Sequence, residues 1–347
     1  MKDLENTMAL PLIGITMGDP AGVGPELCLQ AAVDPRVLAV CHPVIFGDVS
    51  VLNAVREACG RNETLEVVDH PDAATDPASF RAQLTNNHSV KIVLASSLND
   101  LAREIQPGKV DKNTGQLSFD FVRAAIDATN KQFVDAIVTC PINKEAWHAA
   151  GIQYPGHTEV LADMTGTDNF CMMMTSPTLS CSLVTCHVGH QEVLPLMTTE
   201  RIIEVIRLTH DSLKLKLSRQ PKLLALGLNP HAGENGLFGN SEEQRIIQPA
   251  IDAARELGIS IEGPVPPDTA FVPLKLKQFD GHICMFHDQG LIPFKALAFD
   301  TGVNVTLGLP IVRTSVDHGT ALDIAWQNKA DVSSLVAAVE LAASLVE

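Results

Sequence analysis

Short apolar runs recur along the chain and alternate with longer segments of helical periodicity. The runs in the first half are PLIGITM, HPVIFGD, LEVVD, VKIVLAS and VDAIVTCP. Those in the second half are FCMMMTS, LSCSLVTC, LLALGLN, HICMF and NVTLGLPIV. The segments TGQLSFDFVRAAIDATN, TERIIEVIRLTHDSLKLKL and SEEQRIIQPAIDAARELG place apolar residues at helix spacing. This alternation predicts parallel strands joined by crossover helices, the α/β class.

The length of the chain predicts more than one such unit. A chain of 347 residues exceeds what a single hydrophobic core normally serves, so we predict two α/β/α lobes with a central cleft. The opening MGDPAGVGPE reads as a strand, a glycine-rich turn and Pro25 at the start of a helix. It lacks G-x-G-x-x-G spacing, so it gives no dinucleotide-binding fingerprint.

Composition and charge exclude several classes of partner. The net charge of -16 and the lack of a Lys/Arg run argue against nucleic-acid binding. The eight cysteines form no C-x-x-C pair and lie mostly in apolar runs, which indicates reduced thiols and a cytoplasmic location. The N-terminus shows no signal-peptide pattern. The C-terminal SSLVAAVELAASLVE is too short for a membrane span and predicts a surface-packed helix.

Three histidines share one local context. His187 follows CSLVTC, His231 follows LLALGLNP and His287 follows HICMF. Because the carboxyl ends of parallel strands meet at one sheet edge, these side chains could converge and bind a divalent metal. The alternative is three unrelated loop histidines. His190 and His318 are further imidazoles that sequence reasoning alone does not exclude.

A second group of polar residues follows His287. Lys295, Asn304 and Arg313 lie in an otherwise apolar and acidic context, where they could bind a phosphate or carboxylate through charge-assisted hydrogen bonds. The alternative is a solvated lysine and a surface ion pair. YPGHTEV adds His157 and Thr158 on a predicted turn.

Seven segments together resemble the 4-hydroxythreonine-4-phosphate dehydrogenase family over nearly the whole chain. They are ITMGDPAGVGPE, VDAIVTCPINKEA, YPGHTE, NPHAGENGLFG, GPVPPDTAF, MFHDQGLIPFK and GLPIVRTSVDHGTALDIA. The resemblance implies a fold similar to isocitrate and isopropylmalate dehydrogenases. The first lobe would span 1–145 and about 305–347, and the second lobe, 146–304, would hold the metal site and the dimer interface.

The resemblance also implies an activity and a site. It implies a homodimer that oxidises a small phosphorylated hydroxy acid with NAD and a divalent metal (Zn, Mg, Mn or Co), with each metal site completed across the dimer. The implied metal ligands are His187, His231 and His287. The implied substrate contacts are His157, Thr158, Lys295, Asn304 and Arg313. The resemblance assigns no NAD contacts.

Within the family, CPINKEAWHAAG and YPGHTE are closest to the branch acting on 4-phospho-D-threonate or 4-phospho-D-erythronate. Oxidation would give a β-keto acid that loses CO2. Asp268, Asp288 and Lys295 are the candidate catalytic residues, with proton transfer or ligand support open for the two aspartates. The alternatives are the vitamin B6 enzyme, a terephthalate cis-dihydrodiol dehydrogenase, a metal-dependent lyase or hydrolase, and a non-enzymatic metal-binding protein.

Overall fold

The computed structural model describes residues 10–71, 75–85, 89–95 and 104–346. The first nine residues, on which the signal-peptide prediction partly rests, lie outside the described residues. The strands in the described part of the chain are β1 (Leu12–Thr16), β2 (His42–Gly47), β3 (Leu65–Val68), β4 (Val90–Leu94), β5 (Ala136–Thr139), β6 (Cys171–Thr175), β7 (Ser180–Leu183), β8 (Lys222–Leu226), β9 (Ser260–Val265), β10 (Gly281–Cys284), β11 (Val303–Leu307) and β12 (Val312–Val316).

The α-helices alternate with these strands. In the described ranges they are α1 (Gly24–Ala31), α2 (Pro35–Leu38), α3 (Val49–Ala58), α4 (Pro77–Leu84), α5 (Lys112–Asn130), α6 (Lys144–Ala149), α7 (His157–Thr165), α8 (His190–Leu196), α9 (Thr199–Leu217), α10 (Gln248–Glu256), α11 (Pro273–Gln278), α12 (His287–Ala298) and α13 (Ser333–Leu345). This alternation of strands and helices confirms the predicted α/β class. None of those helices combines the length and apolarity needed to cross a membrane.

The chain divides into two compact units. The first comprises residues 1–165 and 311–347, and the second comprises 166–310. The sequence predicts these boundaries near residues 145 and 304. The C-terminal helix α13 belongs to the first unit, so the chain returns to that unit after completing the second.

The first unit is built on a parallel sheet in the order β3-β4-β2-β1-β5-β12. Strand β1 is buried at every position, as expected for a parallel strand covered on both faces. Helix α5 packs closely on α6, since a Cβ added at Gly115 would lie 2.2 Å from the Ala146 carbonyl oxygen. That close approach fixes the position of α6, the helix that begins at Lys144, relative to α5.

The second unit has the sheet order β11-β6-β7-β10-β8-β9. The prediction of parallel strands throughout is wrong for β6, which runs antiparallel to both β7 and β11. The physical reason is the tight turn from Ser176 to Leu179, closed by the Ser176 N to Leu179 O bond of 2.9 Å. Such a short connection reverses the chain and leaves no room for a crossover helix.

Two further differences come from glycine and proline. The run NVTLGLPIV forms not one strand but two, β11 and β12, because the chain turns at Gly308, whose φ is 93°. Strand β9, SIEGPV, is absent from the sequence-based prediction because its Gly263 and Pro264 resemble a turn. Strands β7, β10 and β8 lie side by side and parallel, so their carboxyl ends share one edge.

Candidate active site

His187 and His287 come together at that edge of the second unit. Their ring centroids are 5.6 Å apart. Strand pairing continues beyond the ends of β7 and β10 through Val184 N to Cys284 O at 2.9 Å and Thr185 N to Met285 O at 3.2 Å. This pairing extends the two strands side by side within the same chain, so His187 and His287 lie close enough for their imidazoles to bind one divalent ion.

The backbone at His187 is unusual for a side chain of this size. Its φ is 51°, in the left-handed region that non-glycine residues rarely occupy and that is often found where a functional side chain must be aimed. His287, in contrast, is the first residue of α12. Its Nδ1 lies 2.8 Å from Asp288 Oδ1, and an imidazole that donates there keeps the Nε2 lone pair for a metal.

His231 begins a left-handed turn. From His231 to Asn235 the φ values are 55°, 52°, 76°, 41° and 58°, with Gly233 as the central residue. A buried carboxylate supports this conformation: Glu243 Oε1 accepts bonds from Leu228 N at 3.0 Å and Asn229 N at 2.8 Å. A Cβ added at Gly233 would lie 2.4 Å from Glu243 Oε2, so this turn requires glycine at that position.

A second carboxylate, Glu242, holds the other side of the turn. Its Oε2 accepts bonds from Asn229 Nδ2 at 2.9 Å and Asn240 N at 2.8 Å. Burial favours the neutral acid, but these hydrogen bonds outweigh it and leave the pKa of Glu242 below its usual value. Two buried carboxyl side chains thus fix the conformation of the segment that contains His231.

The three histidines do not meet at one point within the chain. His187 and His287 line one cavity and His231 lines another, and the two cavities share Phe286 and Asp288. Asp268 lines the cavity of His231. Among the described residues, no three His, Cys, Asp or Glu side chains are placed to hold one metal ion together.

Arg313 is a buried cation in the first unit. It stands on β12 with 2% exposure, and its Nη2 donates to Thr139 Oγ1 at 2.6 Å. Burial lowers the pKa of the Arg313 guanidinium to about 10, and the Glu159 carboxylate partly opposes this shift. A desolvated guanidinium of this kind is well suited to binding an anion.

His157 lies in the same unit, where the prediction of a turn is wrong. Together with Thr158 it forms the first turn of α7, an end of a helix that attracts anions. Burial, followed by the charges of Arg313 and Lys144, lowers the pKa of His157 well below its usual value. Its buried Nε2 has no hydrogen-bond partner among the described residues. The imidazole is therefore neutral and has a hydrogen-bonding position to offer.

Packing fixes the orientation of this imidazole. Its ring meets the fully buried Trp147 edge to face at 5.8 Å, and Trp147 Nε1 donates to Ser118 Oγ of α5 at 2.8 Å. Asn143 caps the preceding helix by accepting a bond from Ala146 N at 2.9 Å. The orientation of the His157 side chain is therefore held by residues of the first unit.

Lys295 and Asn304 belong to the second unit. Lys295 is on α12, with its Nζ 5.6 Å from the centre of the Phe299 ring. Asn304 is on β11, and its buried Oδ1 has no hydrogen-bond partner among the described residues. A buried amide oxygen of this kind is commonly satisfied by a bound ligand or water.

Several residues near these groups carry little or no signal in the sequence. Lys144 acts on His157 by charge, and its signal in the sequence is its position three residues after the apolar VDAIVTCP run. Gln289 and Glu243 hold the chain around the histidines, but each acts through backbone groups far away in sequence. His190, which the sequence leaves as a further imidazole without a role, lines the cavity of His187.

Comparison with known proteins decides the family. The model of the family described as "Pyridoxal phosphate biosynthetic protein PdxA" matches residues 39–342. The chain belongs to the PdxA family. A PdxA-family relative named 4-hydroxythreonine-4-phosphate dehydrogenase, from Desulforapulum autotrophicum, is 43% identical over 96% of this chain and 95% of its own length.

Other PdxA-family members support the same assignment. The D-threonate 4-phosphate dehydrogenase of Cupriavidus necator is 39% identical over 97% of each chain. The crystal structure of a 4-hydroxythreonine-4-phosphate dehydrogenase from Klebsiella pneumoniae has a TM-score of 0.81 and 37% identity, covering 97% of this chain and 100% of that one. Relatives with either substrate in their names are thus similar to this chain at comparable levels.

Proposed function

We propose that this protein is an NAD-dependent and divalent-metal-dependent dehydrogenase. Its substrate is a 4-phosphorylated hydroxy acid, 4-phospho-D-threonate or 4-phospho-D-erythronate, and the reaction is hydride transfer from a CH–OH group to NAD followed by loss of CO2. The observation that carries the proposal is the pairing of His187 and His287, with rings 5.6 Å apart at the ends of neighbouring parallel strands. Membership of the PdxA family adds the reaction class.

His187, His231 and His287 are the proposed metal ligands, and their chemistry fits a divalent ion. All three are imidazoles, and Asp288 orients the ring of His287 from its Nδ1 side. A divalent metal bound there supplies a Lewis acid that lowers the pKa of a substrate hydroxyl and stabilises charge on neighbouring oxygens.

The phosphate is proposed to bind at Arg313, with His157 and Thr158 beside it. A phosphate would gain charge-assisted bonds from the guanidinium and a bond to the unpartnered Nε2 of His157. Lys144, which already lowers the pKa of His157, adds positive charge to the same region. Binding energy from this non-reacting end would be used to orient the carbon that loses hydride.

Lys295 and Asn304 are proposed as contacts to the rest of the substrate. The unpartnered amide oxygen of Asn304 could accept a bond from a hydroxyl. Asp268 is the better candidate for accepting the hydroxyl proton, because Asp288 is already bonded to His287. Both aspartates line the cavity that contains His231.

We propose that the active form is a homodimer with shared sites. Within one chain the described residues offer no complete metal site, so a second copy is the natural source of the missing ligand. The second unit also exposes large apolar side chains that a partner would cover. Four of them are Leu237 (71% exposed), Ile292 (68%), Leu274 (64%) and Phe299 (63%).

The cysteine content favours a cytoplasmic location.

Reduction of NAD by the purified protein, measured at 340 nm, tests this proposal. The substrates are 4-phosphothreonate, 4-phosphoerythronate, 4-hydroxythreonine 4-phosphate and the terephthalate cis-dihydrodiol, each with and without added metal. We expect the highest kcat/KM with one of the first two. Preference for the third would reassign the branch, and preference for the diol would remove the phosphate from the proposal. Turnover without NAD reduction would indicate a lyase or hydrolase.

A further inference from the structure

Two of the three strands that lead to the histidines, β10 and β8, are joined by a side chain at the point where regular pairing ends. Strands β10 and β8 pair as far as Ile283 and Ala225. Beyond that, Gln289 connects them: its Oε1 accepts a bond from Met285 N at 2.7 Å, and its Nε2 donates to Gly227 O at 2.8 Å. The side-chain amide of Gln289 therefore bridges the ends of the two strands, as an additional peptide group would.

The same residue, Met285, is also held through its carbonyl oxygen. Met285 O accepts bonds from Thr185 Oγ1 at 2.8 Å and from Thr185 N at 3.2 Å. Gly227 N meanwhile donates to Val265 O at 2.8 Å, which directs the end of β8 toward β9. The end of β8 thus turns away from β10 at Gly227, and the Gln289 amide bridges the two segments.

This network lies directly behind the candidate ligands. Thr185 precedes His187 by two residues, and Met285 precedes His287 by two. Gly227 leads into the left-handed turn that begins near His231. Gln289 also lines the cavity that contains His231 and Asp288. One amide therefore makes contact with two of the three chain segments that present imidazoles, and through Met285 it is coupled to the third.

We infer that Gln289 is a positioning residue that sets the spacing of His187, His231 and His287 for metal binding. The inference rests on the proposed function. A glutamine suits this role because one planar group both accepts and donates. A methionine fills the same volume but leaves Met285 N and Gly227 O without partners, and the strand ends would move to recover those bonds.

The test is the affinity of purified protein for Zn²⁺, measured by competition with a chromophoric chelator, together with the thermal midpoint from circular dichroism. The variants are Gln289→Met and a matched control, Gln248→Met, whose amide bonds to Asp252 one helical turn away on α10. Residues that orient metal ligands typically change metal affinity by about 10-fold to 100-fold. We expect a loss of that size for Gln289→Met and none for the control.

A second variant covers the case in which Gln289→Met does not fold. Thr185→Val removes the hydroxyl bond to Met285 O but keeps the backbone bond, and we expect it to fold and to bind Zn²⁺ up to about tenfold more weakly. A purely structural role would lower the thermal midpoint of these variants and leave their Zn²⁺ affinity unchanged. That result would overturn the inference.

The outcome also separates this inference from the proposed function. Wild-type protein that binds Zn²⁺, a His187→Ala variant that does not, and wild-type affinity in Gln289→Met and Thr185→Val would reject the positioning role while the metal site stands. Wild-type protein that binds no Zn²⁺ would reject the proposed metal site, and the role of Gln289 with it.

Discussion

Replacing Arg313 with lysine separates charge from geometry at the proposed phosphate site. Burial lowers the pKa of the guanidinium from 12.5 to about 10. The same burial would lower the pKa of a lysine at this position below its ordinary value of about 10.4. The substituted side chain would therefore keep its positive charge over a narrower pH range than the guanidinium. What it lacks is the planar fork that can bind a phosphate through two bonds while one Nη donates to Thr139.

The expected loss follows from one hydrogen bond to a charged group. Such a bond contributes about 1.5–3 kcal/mol, which corresponds to about a tenfold to hundredfold decrease in kcat/KM. Arg313→Lys should show this decrease with 4-phosphothreonate at pH 7 and a much smaller one with threonate. At pH 9, where less of the lysine is protonated than at pH 7, the decrease with the phosphorylated substrate should become larger.

The assay is initial-rate NADH formation with both substrates at both pH values, with circular dichroism to establish that Arg313→Lys remains folded. Equal decreases with the phosphorylated and unphosphorylated substrates would show that Arg313 supports the fold or the reacting end rather than the phosphate. A decrease that does not change between pH 7 and pH 9 would refute the charge argument.

Three further outcomes are expected. Single alanine variants of His187, His231 and His287 should each lose bound metal and turnover with little change in the circular dichroism spectrum; unchanged metal content by elemental analysis in all three would reject the assignment. Because His187 and His287 lie together in one chain and the second copy would supply His231, inactive His231→Ala and His287→Ala proteins, once mixed, should regain partial activity, and no recovery after demonstrated subunit exchange would count against shared sites. Because the pKa of His157 is lowered on folding, the unfolded state binds more protons and acidification below about pH 6.5 lowers the free energy of unfolding. His157→Phe should weaken this pH dependence in urea titrations at pH 7.5 and 5.5, and an unchanged dependence would contradict the shifted pKa.

The sequence predicts the regular parts of the fold because their periodicity is local. Helix α9 was predicted over TERIIEVIRLTHDSLKLKL and spans Thr199–Leu217. Strand direction was harder to predict, because β6 is reversed by a short turn whose apolar neighbours look like any other parallel strand. The same limit applies to β9, where Gly263 and Pro264 conceal an edge strand.

For the candidate site, the position of a histidine after a strand is a local signal, whereas its support is not. His187 and His287 were predicted to approach each other because parallel strands end together, and their rings are 5.6 Å apart. The bonds from Gln289 to Gly227 and from Glu243 to Asn229 join residues that are distant in sequence. Spacing along one chain does not report such bonds.

The most direct measurement of the central claim is the rate of NADH formation from 4-phosphothreonate before chelation, after chelation, and after return of a divalent metal to the same sample. The metal-free state is verified by elemental analysis. A metal-dependent dehydrogenase predicts that the rate falls to background on chelation and recovers when metal is restored. An undiminished rate in verified metal-free protein, or no NADH formation in any of the three states, would contradict it.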